Sequence, residues 1–303
     1  MDERARSAIE RHWNDAAKIQ KNKKFRLRWW ESPTIIRHVN QTICGEPIDG
    51  WNAGAIRLLQ QKSDDRKKLY SAVSIGCGEG IKEMQLLESN LVQKFLCFEL
   101  AEERIRKGKQ IAEAKGLQDR ILFFKEDFFV SGYSRQSYDM VFWDNSLHHM
   151  MDVYTAVKKS YDILKPGGVF FCNDFVGKNK FQWSDMELAI VNGIRMSLDD
   201  KIFQKSNGEI YKRIVTRPGI DDMNQSDPSE AADSESIIPA IQKVFAKPIM
   251  IPTGGLIYHL CLNGILSNIE EDSELLQHLL DLDDETIKMG LSQYAFVLAY
   301  KEG

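Results

Sequence analysis

The stretch AVSIGCGEG, residues 72–80, decides the fold. A short apolar run meets three glycines at alternate positions, Gly76, Gly78 and Gly80, and the helical pattern IKEMQLLESN follows at once. Glycines there let the backbone bend tightly and let a ligand approach the main chain near the positive end of the next helix. Working outward, the same alternation repeats. YSAVSI (70–75) reads as a first strand, KFLCFEL (94–100) as a second and RILFFKED (120–127) as a third. SYDMVFWDN (137–145) is the fourth and VFFCNDFVG (169–177) the fifth. Charged helical stretches separate them, and residues 152–164 form one that Pro166, Gly167 and Gly168 stop and turn. Short β-rich runs alternating with helices predict βαβ units and a doubly wound, mostly parallel α/β sheet.

The flanks read differently. Residues 2–25 predict a charged helix with Ile9, Trp13, Ala16, Ala17 and Ile19 at near-helical spacing. FRLRWWESP (25–33) ends at Pro33, and residues 34–62 suggest one or two short helices. The expected division is a helical N-terminal extension over 1–65 and a core over 66–303. Within the core, residues 178–246 lose the βα rhythm. They hold a helical stretch at 183–198 and then SDPSEAADSES (226–236), with six acids and no base between Asp221 and Glu235. Apolar neighbours, RIVTRPGI and IIPAIQKVF, favour an ordered inserted lid over a solvated connection. KPIMIPTG then reads as a strand, GLIYHLCLNGIL as a helix, and YAFVLAYKE (294–302) as the last strand.

Composition narrows the function. The 303 residues carry 40 Lys and Arg against 44 Asp and Glu, a formal charge of −4, which argues against a nucleic-acid binder by default. The first 30 residues hold nine bases and four acids, a local exception. Five cysteines show no paired spacing and no zinc pattern, so free thiols in a reducing, cytoplasmic setting are expected, with no metal. Charges occupy the opening MDERARSAIERHW, where a secretory signal needs an apolar stretch. The uncharged run Ile249–Leu266 has the length of a membrane span. Pro252, Gly254, Gly255, His259 and Asn263 interrupt it, so a strand-to-helix unit is the better reading.

Glu99 ends the second strand 19 residues after Gly80, where a carboxylate can accept both hydroxyls of an adenosine ribose. Asp127 ends the third and can meet an adenine amino group. Each acid alone reads as a cap or a loop charge; at successive strand ends, with LKPGG (164–168) downstream, they form a set. Together AVSIGCGEG, FELAEERI, KEDFF, YDMVFWDNSLHHM and LKPGG resemble the class I S-adenosylmethionine-dependent methyltransferases over residues 69–175. The resemblance implies a seven-stranded Rossmann-like sheet whose last strand is antiparallel. It implies S-adenosyl-L-methionine held by Gly76, Cys77 and Gly78, by Glu99 at the ribose, and by Asp127 and Phe128 at the adenine. Asp144, closing the fourth strand, joins that cofactor set. One position departs from the family: Ser74 stands where an acid often precedes the first glycine by two residues. A nicotinamide cofactor would need a glycine at 81, which is isoleucine here.

The fourth strand delivers WDNSLHHM to the ligand-binding edge of the sheet. His148 and His149 are the candidate bases for a hydroxyl acceptor, since imidazole titrates near neutrality. Asp174, at the end of the fifth strand, is expected to orient His149 or the acceptor, with His148 the lesser residue. Glu230 and Asp233 reach the site if the insertion folds over it. Trp29 and Trp30 are candidates to cover the cofactor, and Trp143 and Trp183 to line an acceptor pocket. No N/D-P-P-Y/F/W follows the fourth strand, which argues against adenine or glutamine amino groups, and no Pro-Cys pair supports cytosine chemistry. The reading favoured is O-methylation of a small molecule or a sugar hydroxyl. RNA or protein methylation through the basic N-terminal segment, and a non-catalytic cofactor-binding scaffold, are the alternatives.

Overall fold

Each apolar run around the glycine turn becomes a strand in the computed structural model, which describes residues 3–19, 28–62, 69–130, 135–205 and 207–303. β1 (Leu69–Ile75), β2 (Val92–Phe98), β3 (Ile121–Phe124), β4 (Tyr138–Asp144) and β5 (Leu164–Phe175) are mutually parallel. β6 (Ile249–Gly254) and β7 (Tyr294–Tyr300) complete one sheet in the order β3-β2-β1-β4-β5-β7-β6, with β7 antiparallel to both neighbours. The order reverses between β1 and β4, and open α/β sheets bind ligands at such a switch point.

Alternation along the strands builds two cores. Met140 and Phe142 of β4, Phe171 of β5 and Phe296 of β7 face one side. Val141 and Trp143, Phe170 and Val297 face the other. The first side is covered by α2 (Pro33–Cys44), α3 (Ala53–Lys62), α4 (Ile81–Glu88) and α10 (Glu274–Lys288). The second is covered by α6 (Val153–Ile163) and α9 (Ile237–Val244). Burial on both faces explains why these strands read as continuous apolar runs. α1 (Glu3–Ile19) and α5 (Glu102–Ala114) lie together beside β3. The stretch expected to be helical up to residue 25 lies outside the described residues beyond Ile19.

Two expectations change. β5 begins at Leu164, inside LKPGG: Leu164 pairs with Tyr138, and the ladder resumes at Val169 opposite Met140 after an irregularity at Gly167, whose φ is +72°. GLIYHLCLNGIL is not a regular helix. It forms one π-helical turn, Leu256–Cys261, preceded by Gly255, which at φ +103° sits against Tyr294. Among the described residues no helix is long and apolar enough to cross a membrane.

The described residues of 178–246 form α7 (Asp185–Ser197), α8 (Ile220–Ser226) and α9, with no strand among them. The buried Arg195 guanidinium substitutes for a sheet by donating to the carbonyls of Arg213 (2.8 Å), Lys212 (2.6 Å) and Cys261. Residues 227–236 fold back on the sheet edge. Ala232 N donates to His148 O, Ser234 Oγ to Gly177 O, and Lys180 Nζ to Pro228 O.

Candidate active site

The glycine turn earns its composition. Gly76, Gly78 and Gly80 have φ of +66°, +60° and +72°, values that side chains disfavour. A Cβ on Gly76 would also stand 2.9 Å from Ser146 Cβ. This close approach leaves room for a cradle. The Gly78 amide donates to Glu99 Oε2 (2.9 Å), while Leu100 N and Ala101 N donate to Oε1 (2.8 and 2.9 Å). Glu99 is thereby aimed at a cavity of 320 Å³ on the carboxyl edge of the sheet. Gly76, Glu99, Asp127 and Phe128 line it, as do Ser146 and His149 from the turn after β4. Ser146 Oγ is buried there with no hydrogen-bond partner among the described residues.

Ile9 and Trp13 of α1 form another wall. The Trp13 ring meets His149 edge-on at 5.2 Å and carries the Arg104 guanidinium at 4.1 Å. Their spacing gave the helix but not its position over the cavity.

Several expected contacts are not brought to this cavity. Cys77 and Gly78 support it from behind, Gly78 through Glu99 and Cys77 packed beside Cys97. Asp144 points away: its buried carboxylate accepts from Lys82 Nζ (2.8 Å), Trp51 Nε1 (3.3 Å) and the Asn52 amide, tying the segment before α3 to β4. Trp30 is 41% exposed, and Trp29 packs among Trp51, Tyr258 and Tyr294. Trp143 is a core residue that donates to Ser160 Oγ (3.1 Å), and Trp183 is buried against Phe181. Asp233 caps α6 by accepting from Val153 N (3.0 Å). The acid missing at position 74 is supplied from α4 instead. Ser74 Oγ donates to Glu83 Oε1, and burial pushes the Glu83 carboxyl up to about 7.

Beside the cavity, Asp174 pairs with His148, not His149. The fully buried Asp174 accepts from Ser146 N (2.9 Å), Leu147 N (2.7 Å), Phe175 N (2.8 Å) and His148 Nδ1. His148 Nε2 lies 3.5 Å from Glu230 Oε1. Burial opposes a charge on His148, but Asp174 and Glu230 outweigh it and push the imidazole up to about 10. Burial likewise opposes a charge on Glu230, and the hydrogen bond and charge of His148 outweigh it and hold the carboxyl down to about 2. His149, 4.1 Å from the His148 ring, goes the other way: burial and that neighbouring charge depress it. Two adjacent histidines thus carry opposite protonation states, a charged one held between carboxylates and a neutral one on the cavity wall.

One donor atom each from His148, His149 and Glu230 lies within 4.8 Å of the others, a spacing a cation can bridge. The His148–Glu230 ion pair already engages that group. Activity is therefore expected to survive dialysis against a chelator, and a loss restored by added zinc would assign the cluster to a metal.

Comparison with known proteins now bears on this geometry. Residues 73–172 match the family model described as a methyltransferase domain. The chain carries a class I S-adenosylmethionine-dependent methyltransferase domain. It is 28% identical over 130 residues to a sterol 24-C-methyltransferase of Pneumocystis carinii, covering 42% of this chain and 33% of that one. It is also 28% identical over 119 residues to the 27-O-demethylrifamycin SV methyltransferase of Amycolatopsis mediterranei, covering 39% and 42%. The chain thus spans less than half the length of these two curated relatives. Among solved structures, a geranyl diphosphate methyltransferase in complex with GPP and sinefungin aligns with a TM-score of 0.53 over 98% of this chain and 99% of its own. At 12% identity that likeness is one of fold.

The methyltransferase domain fits its family cofactor on observations of this chain. Glu99 presents a carboxylate oriented by three amides, and the unpartnered Ser146 hydroxyl faces the same cavity. Glu99→Ala is expected to weaken S-adenosylmethionine binding by about 1.5–3 kcal/mol, the range for a hydrogen bond to a charged group. Calorimetry on the purified chain checks this, and an unchanged affinity would remove Glu99 from the ribose.

Proposed function

We propose that the chain methylates a hydroxyl of a small molecule, sugars included, with His149 as general base. The observation that carries this reading is His149 on the cavity wall, its basicity depressed, beside His148, whose charge Asp174 and Glu230 hold through neutrality. Gly76, Glu99, Asp127 and Phe128 are the residues assigned to the cofactor. When bound, S-adenosylmethionine supplies a methyl carbon activated by a positively charged sulfur. His149 would take the proton of the acceptor hydroxyl as that oxygen is methylated. A depressed basicity suffices, because an oxygen gaining a methyl group becomes strongly acidic as the bond forms. Glu230, held against His148, and the rest of residues 178–246 are read as the cover on the acceptor side. The rifamycin-related relative, whose name denotes an O-methyl transfer, supports this choice of atom.

A panel of phenols, sugars and polyketide alcohols, incubated with the chain and isotopically labelled S-adenosylmethionine, tests the reading. Label in a methyl ether is the expected product; transfer to carbon or nitrogen acceptors alone would overturn it. The rate should hold steady through neutrality. It should fall in acid only below the ordinary histidine range, where His149 gains a proton, and in alkali as His148 loses its own.

A further inference from the structure

We infer that Ser229 and Asp227 are positioning residues that fix which nitrogen of His149 carries its proton; this rests on His149 being the base. His149 Nδ1 lies 3.0 Å from Ser229 Oγ, and Ser229 Oγ lies 2.6 Å from Asp227 Oδ1. Ser229 is 1% exposed and Asp227 3%. A hydroxyl has one hydrogen, and a carboxylate can only accept. The Ser229 proton therefore points at Asp227, its oxygen turns a lone pair toward His149, and Nδ1 must hold the imidazole hydrogen. The lone pair of His149 is left on Nε2. When that nitrogen takes a proton, Asp227 Oδ2, buried without a hydrogen-bond partner among the described residues and 3.9 Å from Nδ1, faces the new charge.

The relay is anchored rather than incidental. Ser229 N and Ser229 Oγ both donate to Asp227 Oδ1, and Glu230 N donates to Asp227 O, closing a tight turn before Ala231 at φ +47°. One turn therefore governs both histidines: Glu230 holds the charged one, and Ser229 with Asp227 orients the neutral one. The charged groups facing His149 are His148, Glu230, Asp174 and Asp227.

Asp227→Asn gives the sharper test, because an amide can donate. It can turn the Ser229 hydroxyl round toward His149 Nδ1 and force the hydrogen onto Nε2. Nitrogen-15 spectra of histidine-labelled full chain with S-adenosylhomocysteine, with His149→Ala identifying the signal, report the tautomer without any turnover. The expected result is Nδ1–H in the native chain and Nε2–H in Asp227→Asn. The methylation rate of that variant should drop about 10²-fold or more with cofactor affinity unchanged, and that of Ser229→Ala by about 10-fold, since its imidazole keeps a choice of tautomer. A native Nε2–H signal, or a tautomer that does not respond to Asp227→Asn, would overturn the inference. If the tautomer responds as expected but His149→Ala retains full turnover, the relay stands and the base assignment falls.

Discussion

Asp174→Ala should destabilise the chain by about 3–5 kcal/mol, the cost of breaking a buried ion pair by removing one partner. The side chain is fully buried, and its loss strands three amides and the His148 imidazolium together. Glu230 alone then faces that charge at 3.5 Å. The pH dependence follows from the two shifts. Asp174 is depressed chiefly by His148 and amide donation against the effect of burial, so its contribution is present above the ordinary carboxyl range and fades as pH falls through its folded value. His148 is raised to about 10, so its contribution is complete below the ordinary imidazole range and declines as pH rises toward 10. The full effect lies between about pH 4 and 6.5. Urea unfolding at pH 5.5 and pH 9 should show the gap between native and variant chains shrinking at the higher pH. A gap independent of pH would mean that the pair does not carry the loss. Asp174→Asn, which keeps hydrogen-bonding capacity but no charge, should fall between; a variant with native stability is not expected.

His149→Ala should lower the methylation rate by about 10²–10⁴ while leaving S-adenosylmethionine affinity and folding near native. Its side chain reaches Ser229 and Trp13, contacts whose loss leaves no buried charge unpaired. His148→Ala is no mild control. It would leave Asp174 and Glu230 without the cation between them, and the expected result is a poorly folded chain. Rate and unfolding midpoint measured side by side separate the two residues: loss of turnover with a native midpoint for His149, loss of both for His148. Near-native turnover in His149→Ala would place the base elsewhere.

The sheet and the glycine cradle were readable because both depend on local pattern. Alternating apolar runs and the GCGEG turn set β1, its neighbours and Glu99 without reference to distant residues. What distance in sequence hides is partnership. Asp174 is suited to either histidine by strand-end position, and only the amides of Ser146 and Leu147, which seat its carboxylate, decide for His148. Asp144 has the right strand end but turns toward Lys82 and Asn52, residues with no motif of their own. Ser229 and Asp227 sit in a polar run that only its apolar flanks predict to be ordered, and nothing local marks the two residues as buried. Trp183 reads as a pocket residue for its type, whereas its stacking on Phe181 needs the folded insertion.

The turn at 227–230 lies outside the span that matches the family, residues 73–172, yet it touches both histidines inside that span. Inheritance can therefore act on the two halves of the site separately. On the proposed assignment, exchange of this segment between relatives would alter how an acceptor meets His149 while the cradle at Gly76 and Glu99 stays intact. A lineage of such enzymes can change what it modifies without relearning how to hold its methyl donor.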